Sequence, residues 1–216
     1  MLPIVSIVGQ SQSGKTTLVE RLVIEFKGRG YRVATVKHAC KDFDIDKQGK
    51  DTWRYTEAGS DAVAISAPQR LALIKLQDGN DSIDEILRLL GEDFDIIFIE
   101  GFHHAHVPKI EVYSKKLNKG LRCDPGELKA IVSDDKLDVD VPQFSIEDIS
   151  EIADLINERI IGKRGDETLL FVNGSPVILN QFAKQFFANT LLGRVSSLKG
   201  VTEVKSLEVA VRKTGI

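Results

Sequence analysis

Cysteine is nearly missing from this 216-residue chain: Cys40 and Cys123 are the whole complement. Two thiols cannot build the disulfide framework that staples small secreted domains, so a reducing cytosol is the expected home. No apolar run approaches the roughly 18 residues that a membrane-crossing helix needs. The first residues do not join a basic region to a cleavable apolar segment, so no secretory signal is expected. An excess of positive charge is lacking as well. The formal net charge is -3, which gives no electrostatic reason to expect nucleic acid as a partner. Internal repeats and low-complexity tracts are also missing. What is present, 42% hydrophobic and 28% charged residues, is ordinary for a soluble globular protein with one sizeable domain and room for a small appendage.

Short β-like runs alternate with amphipathic stretches. The β-branched, nearly unbroken apolar run "IVSIV" predicts a buried strand over 4–8. From Lys15 onward, Leu18, Leu22, Val23 and Phe26 fall at helical spacing, and Gly28 and Gly30 end the helix. "YRVATVKH" predicts a second strand, followed by a charge-rich loop to about Lys50 and a short helix in "DTWRYTEAG" that stops at Gly59. "AVAIS", "LALIKL", "DIIFIE", "PKIEVY" and "KAIVS" are further strand candidates. "SIDEILRLL" reads as a helix with Ser82 as its N-cap, and "SIEDISEIADLINERI" as one opened by Ser145. Strands alternating with helices predict an α/β fold: a mostly parallel sheet covered on both faces. The composition changes at the polar, glycine-bearing "IGKRGDET", which places a nucleotide-binding domain at 1–162 and a small α+β module at 167–216. In that module Asn173-Gly174 between apolar runs predicts a hairpin. A helix capped by Asn180 follows, with Phe182, Phe186 and Leu191 among its apolar positions, and then a last strand in "EVKSLEVAVRK". These aromatics are expected to fill the module's own small core, with an interface on one face; a dimer or partner surface is the alternative.

The chemistry concentrates in "GQSQSGKTT". Gly9, Gly14, Lys15 and Thr16 occupy every fixed position of the phosphate-loop pattern G-x-x-x-x-G-K-[ST], between an apolar strand and an amphipathic helix. Glycines let the backbone fold round an anion, so that the N–H groups of Gly9, Gln10, Ser11, Gln12, Ser13 and Gly14 can turn inward. The following helix adds its positive end, Lys15 reaches the outer phosphates, and the Thr16 hydroxyl meets Mg²⁺. A phosphate-binding loop of the P-loop NTPase sandwich is the expectation. In "DIIFIEG", Asp95 and Glu100 lie five residues apart, roughly 16 Å of strand, too far to share one metal. The loop leaves the carboxyl end of its strand, which puts Glu100 on the correct edge for metal or water positioning and leaves Asp95 to flank the strand. In "KHACKDFDIDKQGKD", Asp44 or Asp46 could touch the metal through water, and a solvated charged loop is the alternative.

Taken together, "IVGQSQSGKTTL", "DFDIDKQGKDTWRYTEAG", "IEGF" followed by "PKIEV", and "AIVSDD" resemble the GTP-binding accessory proteins of molybdopterin-guanine dinucleotide biosynthesis, the MobB family. The resemblance covers about residues 2–160. It implies a cytoplasmic, homodimeric GTP·Mg²⁺ binder with slow hydrolysis that assists attachment of GMP to molybdopterin, with molybdopterin or the molybdenum-cofactor guanylyltransferase as partner. It further implies that Gly14, Lys15, Thr16 and Thr17 hold phosphates and Mg²⁺. Asp44 and Asp46 fall in the family's acidic loop, and Glu100 matches its "EGF" element. Ser133 and Asp134 in "AIVSDD" follow a late strand, where a carboxylate could accept from the N1–H and 2-amino group of guanine; an N-cap role for Asp134 is the alternative. One departure is visible: where the family often has a histidine-rich stretch after "KH", this chain has Ala39, Cys40 and Lys41. Its histidines gather instead at His103, His104 and His106. Together with His38 and Cys40 these could form a zinc site, but no paired ligand spacing supports one, and structural or exposed histidines are the expectation. Cys123 reads as an ordinary loop cysteine. Two other functions use the same loop. A small-molecule kinase would require an arginine-dense lid, and mid-sequence only Arg54 and Arg70 attract notice. A pure interaction protein would use nucleotide only to set its conformation.

Overall fold

Five parallel pairings build the main sheet. The computed structural model describes residues 3–39, 43, 45–77, 83–91, 93–162, 168, 170–172, 175–202, 204, 207, 209 and 211. The elements follow in the order β1 (Ile4–Gly9), α1 (Lys15–Gly28), β2 (Val33–Lys37), α2 (Asp51–Glu57), β3 (Ala62–Ala67), β4 (Arg70–Lys75), α3 (Ile83–Leu90) and β5 (Ile96–Glu100). Then come β6 (Lys109–Val112), β7 (Leu128–Val132), β8 (Gln143–Phe144), α4 (Ile149–Ile156), β9 (Leu170–Val172), β10 (Ser175–Val177) and α5 (Gln181–Ser196). The sheet order is β2-β5-β1-β6-β7-β8, and every pairing in it is parallel. The expected α/β architecture is thus present. Two compact units divide the chain, one at Leu2–Ile161 and the other at Gly162–Ile216.

Alternation along the central strands explains why their sequences are apolar almost without a break. Side chains of a strand point to opposite faces in turn. Val5 and Ile7 of β1 and Ile96 and Phe98 of β5 join Leu18, Leu22 and Phe26 of α1 and Ile152 and Ile156 of α4 on one face. Ile4, Ile97 and Ile99 face the other way, against Ile83, Leu87 and Leu90 of α3. A sheet covered on both sides leaves little room for polar residues, and Ser6, Lys109 and Glu111 are buried exceptions on its strands. Arg29 at the end of α1 ties that helix to α4, donating to Asp154 Oδ1 at 2.6 Å and to the Ser150 carbonyl at 3.1 Å.

The structure corrects some boundaries. The helix expected from Ser145 begins four residues later, at Ile149, with Asp148 at its N-cap. The Asp148 carboxylate accepts from the Ser145 N–H at 2.8 Å and the Ser145 hydroxyl accepts from Glu147 N–H at 3.3 Å, so these residues close a turn that competes with the helix. The proposed Ser82 cap lies outside the described residues. "AVAIS" and "LALIKL" form an antiparallel hairpin of their own, not further strands of the main sheet. Most of both faces of that hairpin, including Ile65, Leu71 and Leu73, is exposed. In the second unit β9 and β10 pair antiparallel as expected, although the Asn173-Gly174 turn lies outside the described residues. Asn180 caps α5, its side chain accepting from Ala183 N–H at 2.8 Å. Phe182 and Phe186 are 76% and 57% exposed, however, so they do not fill a small core. The expected last strand lies largely outside the described residues.

A buried lysine gives the first unit a pH signature. Lys109 at the start of β6 is 5% exposed and donates to Glu127 Oε2 at 2.5 Å. That hydrogen bond, reinforced by the lysine's charge, pulls the Glu127 carboxyl below its ordinary range. A carboxylate whose folded pKa is depressed stabilises the fold fully above its unfolded pKa, about 4.3, and loses that contribution as pH falls through the lower folded value. Glu127→Gln should therefore melt below the unsubstituted chain at neutral pH, with the gap closing in acid. Thermal melts of both proteins between neutral pH and about pH 3 check this; a gap that widens in acid would refute it.

Candidate functional site

The phosphate loop is shaped by its neighbours before any ligand arrives. Gly9 ends β1 with φ of 142°, and an added Cβ would lie 2.4 Å from the Val112 carbonyl oxygen. Gln12 also takes a positive φ, 65°, the kind of local backbone reversal that turns N–H groups inward. Helix α1 starts at Gly14 with no side-chain cap and no acidic residue in its first turn. Its N-terminal N–H groups are therefore left for an external anion. Ser13 Oγ is buried with no hydrogen-bond partner among the described residues, a polar atom whose satisfaction calls for a further group.

Lys15 and Thr16 project from the start of α1. Lys15 Nζ donates to the Gln10 carbonyl of its own loop at 2.7 Å. Burial lowers the Lys15 pKa; Glu100 opposes that shift, while the charges of Arg122 and Lys37 add to it. Thr16 Oγ1 donates to Glu100 Oε2 at 3.0 Å, across 84 positions of sequence. That contact follows from topology: β1 and β5 are adjacent and parallel, so Gly9 and Glu100 emerge at the same edge. The buried Ser6 hydroxyl fixes this edge by donating to the Gly101 carbonyl. The structure thus brings Lys15, Thr16 and Glu100 together. Asp95, at the other end, accepts from Arg32 N–H at 2.8 Å and flanks the strand, as expected.

A cleft of about 210 Å³ opens beside the loop, lined among others by Ser11, Lys15, His38, Glu100, His103 and Arg122. Arg122 and His103 were not singled out for this site from the sequence. Neither carries a motif; Arg122 arrives from the long segment between β6 and β7. Asp46 is not among the lining residues. Its Oδ1 accepts from the Thr52 hydroxyl and Lys47 N–H, both at 2.8 Å, which braces the start of α2, while Oδ2 is buried without a partner among the described residues. Asp44 and Cys40 lie outside the described residues. Arg54 pairs with Asp51 on α2, and Arg70 starts β4. Among the described residues no three His, Cys, Asp or Glu side chains are placed to hold one metal. The His38 ring packs on Phe102 and the His103 ring on His104. Cys123 has its pKa raised by burial and by Glu111, as fits an unreactive thiol.

A second cleft lies at the ends of β7 and β8, lined by Ser133, Asp134, Lys136, Phe144 and Ser145 among others. Asp134 is not a helix N-cap, since α4 is capped by Asp148. Its Oδ1 accepts from the Ser145 hydroxyl at 3.2 Å. The Ser133 hydroxyl accepts from Asp135 N–H at 3.0 Å.

The family model for molybdopterin guanine dinucleotide synthesis protein B matches residues 4–134, which run from the start of β1 to just past the end of β7. The chain belongs to the MobB family. Among curated MobB-type relatives, a molybdopterin-guanine dinucleotide biosynthesis adapter protein of Haemophilus influenzae is 33% identical over 72% of this chain and 88% of its own length. Its Escherichia coli counterpart is 32% identical over 73% and 93%. A putative adapter protein of Methanocaldococcus jannaschii is 25% identical and extends over 96% of this chain and 97% of its own, so that alignment takes in the second unit. Among solved structures, a crystal structure of Bacillus subtilis MobB superposes with a TM-score of 0.59 at 29% identity, covering 74% of this chain and 99% of that one. A crystal structure of molybdopterin-guanine biosynthesis protein B gives 0.57 at 30% identity, covering 72% and 97%. Among the described residues no helix is long and apolar enough to cross a membrane.

Proposed function

We propose that this chain is a GTP·Mg²⁺-binding adapter of molybdenum-cofactor biosynthesis, serving the step that joins GMP to molybdopterin. The observation that carries the reading is the Thr16–Glu100 hydrogen bond at 3.0 Å. It sets a hydroxyl from the phosphate loop against a carboxylate from the neighbouring strand, beside the open N-terminus of α1. Hard oxygen donors of this kind suit Mg²⁺, which keeps several waters and takes one or two protein ligands plus phosphates. Thr16 and Glu100 would hold the ion, which when bound neutralises charge on the outer phosphates. Backbone N–H groups from Gly9 to Gly14, with Thr17, cradle the phosphates, and Lys15 pairs with the outermost ones. Asp134 and Ser133 recognise guanine at the second cleft, the carboxylate accepting from N1–H and the 2-amino group. Asp44 and Asp46 add outer metal contacts through water.

Curated relatives named as biosynthesis adapters support the cellular role. In this reading the chain hydrolyses GTP slowly in the cytoplasm and works with the guanylyltransferase or its molybdopterin substrate. A homodimer is part of the proposal, supported by the β3–β4 hairpin. A two-stranded ribbon with exposed Ile65, Leu71 and Leu73 is marginal by itself and gains stability once a second copy covers it.

Calorimetry with Mg²⁺ and GTP, ATP, GDP or ADP tests the nucleotide assignment. GTP should bind more tightly than ATP. Asp134→Asn should reduce that preference by roughly tenfold or more, because the amide cannot accept both guanine donors. Equal affinity for GTP and ATP in the unsubstituted chain would remove Asp134 from its proposed role.

A further inference from the structure

The cleft beside the phosphate loop contains more positive charge than the loop motif accounts for. Lys15 and Arg122 both line it, and Glu100 is the carboxylate among its lining residues. Lys37 adds a further positive group, 4.0 Å from Glu100. Among the described residues no carboxylate neutralises the guanidinium of Arg122; its Nη2 meets the His103 ring nitrogens at 3.3 and 3.4 Å. Burial first, and the Arg122 charge next, lower the His103 pKa, which favours the neutral ring that can accept from a guanidinium.

The backbone beneath Arg122 is held at a cost. Glu111 of β6 is 1% exposed, and burying a carboxylate is expensive unless its oxygens are satisfied. Here Oε1 accepts from Arg122 N–H at 2.5 Å and Oε2 from Cys123 N–H at 3.0 Å. One buried carboxylate thus fixes the two consecutive peptide groups that present this arginine at the cleft. The cleft's position indicates which end of a nucleotide it meets. Lys15 and a metal held by Thr16 and Glu100 belong to the outer phosphates, while the Asp134 cleft shares no lining residue with this one.

The geometry points to Arg122 as a binding residue for the terminal phosphate of a nucleoside triphosphate, presented by the Glu111 clamp and oriented by His103. The inference rests on the nucleotide reading above and deepens it: this chain carries within itself an arginine that distinguishes triphosphate from diphosphate. A guanidinium donates two parallel N–H groups to phosphate oxygens, a geometry that a lysine cannot reproduce.

The test is calorimetry on the full chain with Mg²⁺ and either a non-hydrolysable GTP analogue or GDP. Arg122→Ala should weaken the triphosphate analogue by roughly tenfold to a hundredfold while GDP affinity stays nearly constant. Arg122→Lys should recover only part of the loss. Arg122 is exposed, so neither variant removes core packing. A triphosphate-to-diphosphate ratio in Arg122→Ala equal to that of the unsubstituted chain overturns the inference and leaves the nucleotide site standing. Failure of the unsubstituted chain to bind either nucleotide overturns both.

Discussion

Gly9→Ala is expected to destabilise the protein by about 2–5 kcal/mol and to abolish nucleotide binding. The added Cβ would stand 2.4 Å from the Val112 carbonyl oxygen and 2.8 Å from Ser13 Oγ, at a φ of 142° that side chains rarely adopt. Val112 cannot move aside, because it is paired in register with Gly9 inside the sheet. Ser13 is equally confined, its hydroxyl already buried. The substitution therefore pushes β1 and β6 apart or distorts the loop, and either outcome misplaces the N–H groups at the start of α1. Chemical denaturation compared with the unsubstituted chain reads the stability, and calorimetry reads binding. An unchanged unfolding midpoint would show that the loop tolerates the methyl group.

Lys15→Ala should behave in the opposite way, sparing the fold and striking the ligand. In the nucleotide-free protein Lys15 donates to the Gln10 carbonyl at 2.7 Å, but burial disfavours its charge. Loss of that bond and relief of that penalty offset each other, so the melting temperature should hardly change. Affinity for a nucleoside triphosphate should fall by about 2–4 kcal/mol, since charge-assisted bonds to phosphate have no replacement. Melts with and without Mg²⁺·GTP give both answers in one series: the unsubstituted protein should gain stability on adding nucleotide and the variant should gain little. Equal gains in the two proteins would refute the placement of the outer phosphates.

How far the sequence alone leads depends on how local each signal is. β1 and β5 were readable because a strand covered on both faces is nearly continuous in apolar residues, and Gly9 to Thr16 because loop, lysine and hydroxyl are contiguous. The start of α4 was not: Ser145 has the composition of an N-cap, yet the Asp148 carboxylate bonds back to the Ser145 N–H and delays the helix. Arg122 was unreadable for a different reason. Its place at the cleft depends on Glu111, on the far side of an irregular segment, and no spacing rule links the two. Asp46 lies in the acidic-loop pattern, which did not show that its Oδ1 would be taken by Thr52. For Phe182 and Phe186 the helical pattern was correct and the burial was not, because periodicity locates an apolar position without saying what covers it.

The packing of α4 has a consequence for where this protein can be cut. The match to the family ends at residue 134, before α4 begins. Yet Ile152, Ala153 and Ile156 of that helix are buried in the same cluster as Leu18, Leu22 and Phe26, directly behind the phosphate loop. A fragment ending at 134 would strip the back of α1 and leave a wide apolar surface open to water. In engineering terms, a fragment meant to keep α1 covered has to include that helix and extend to Ile161, which packs against the same cluster.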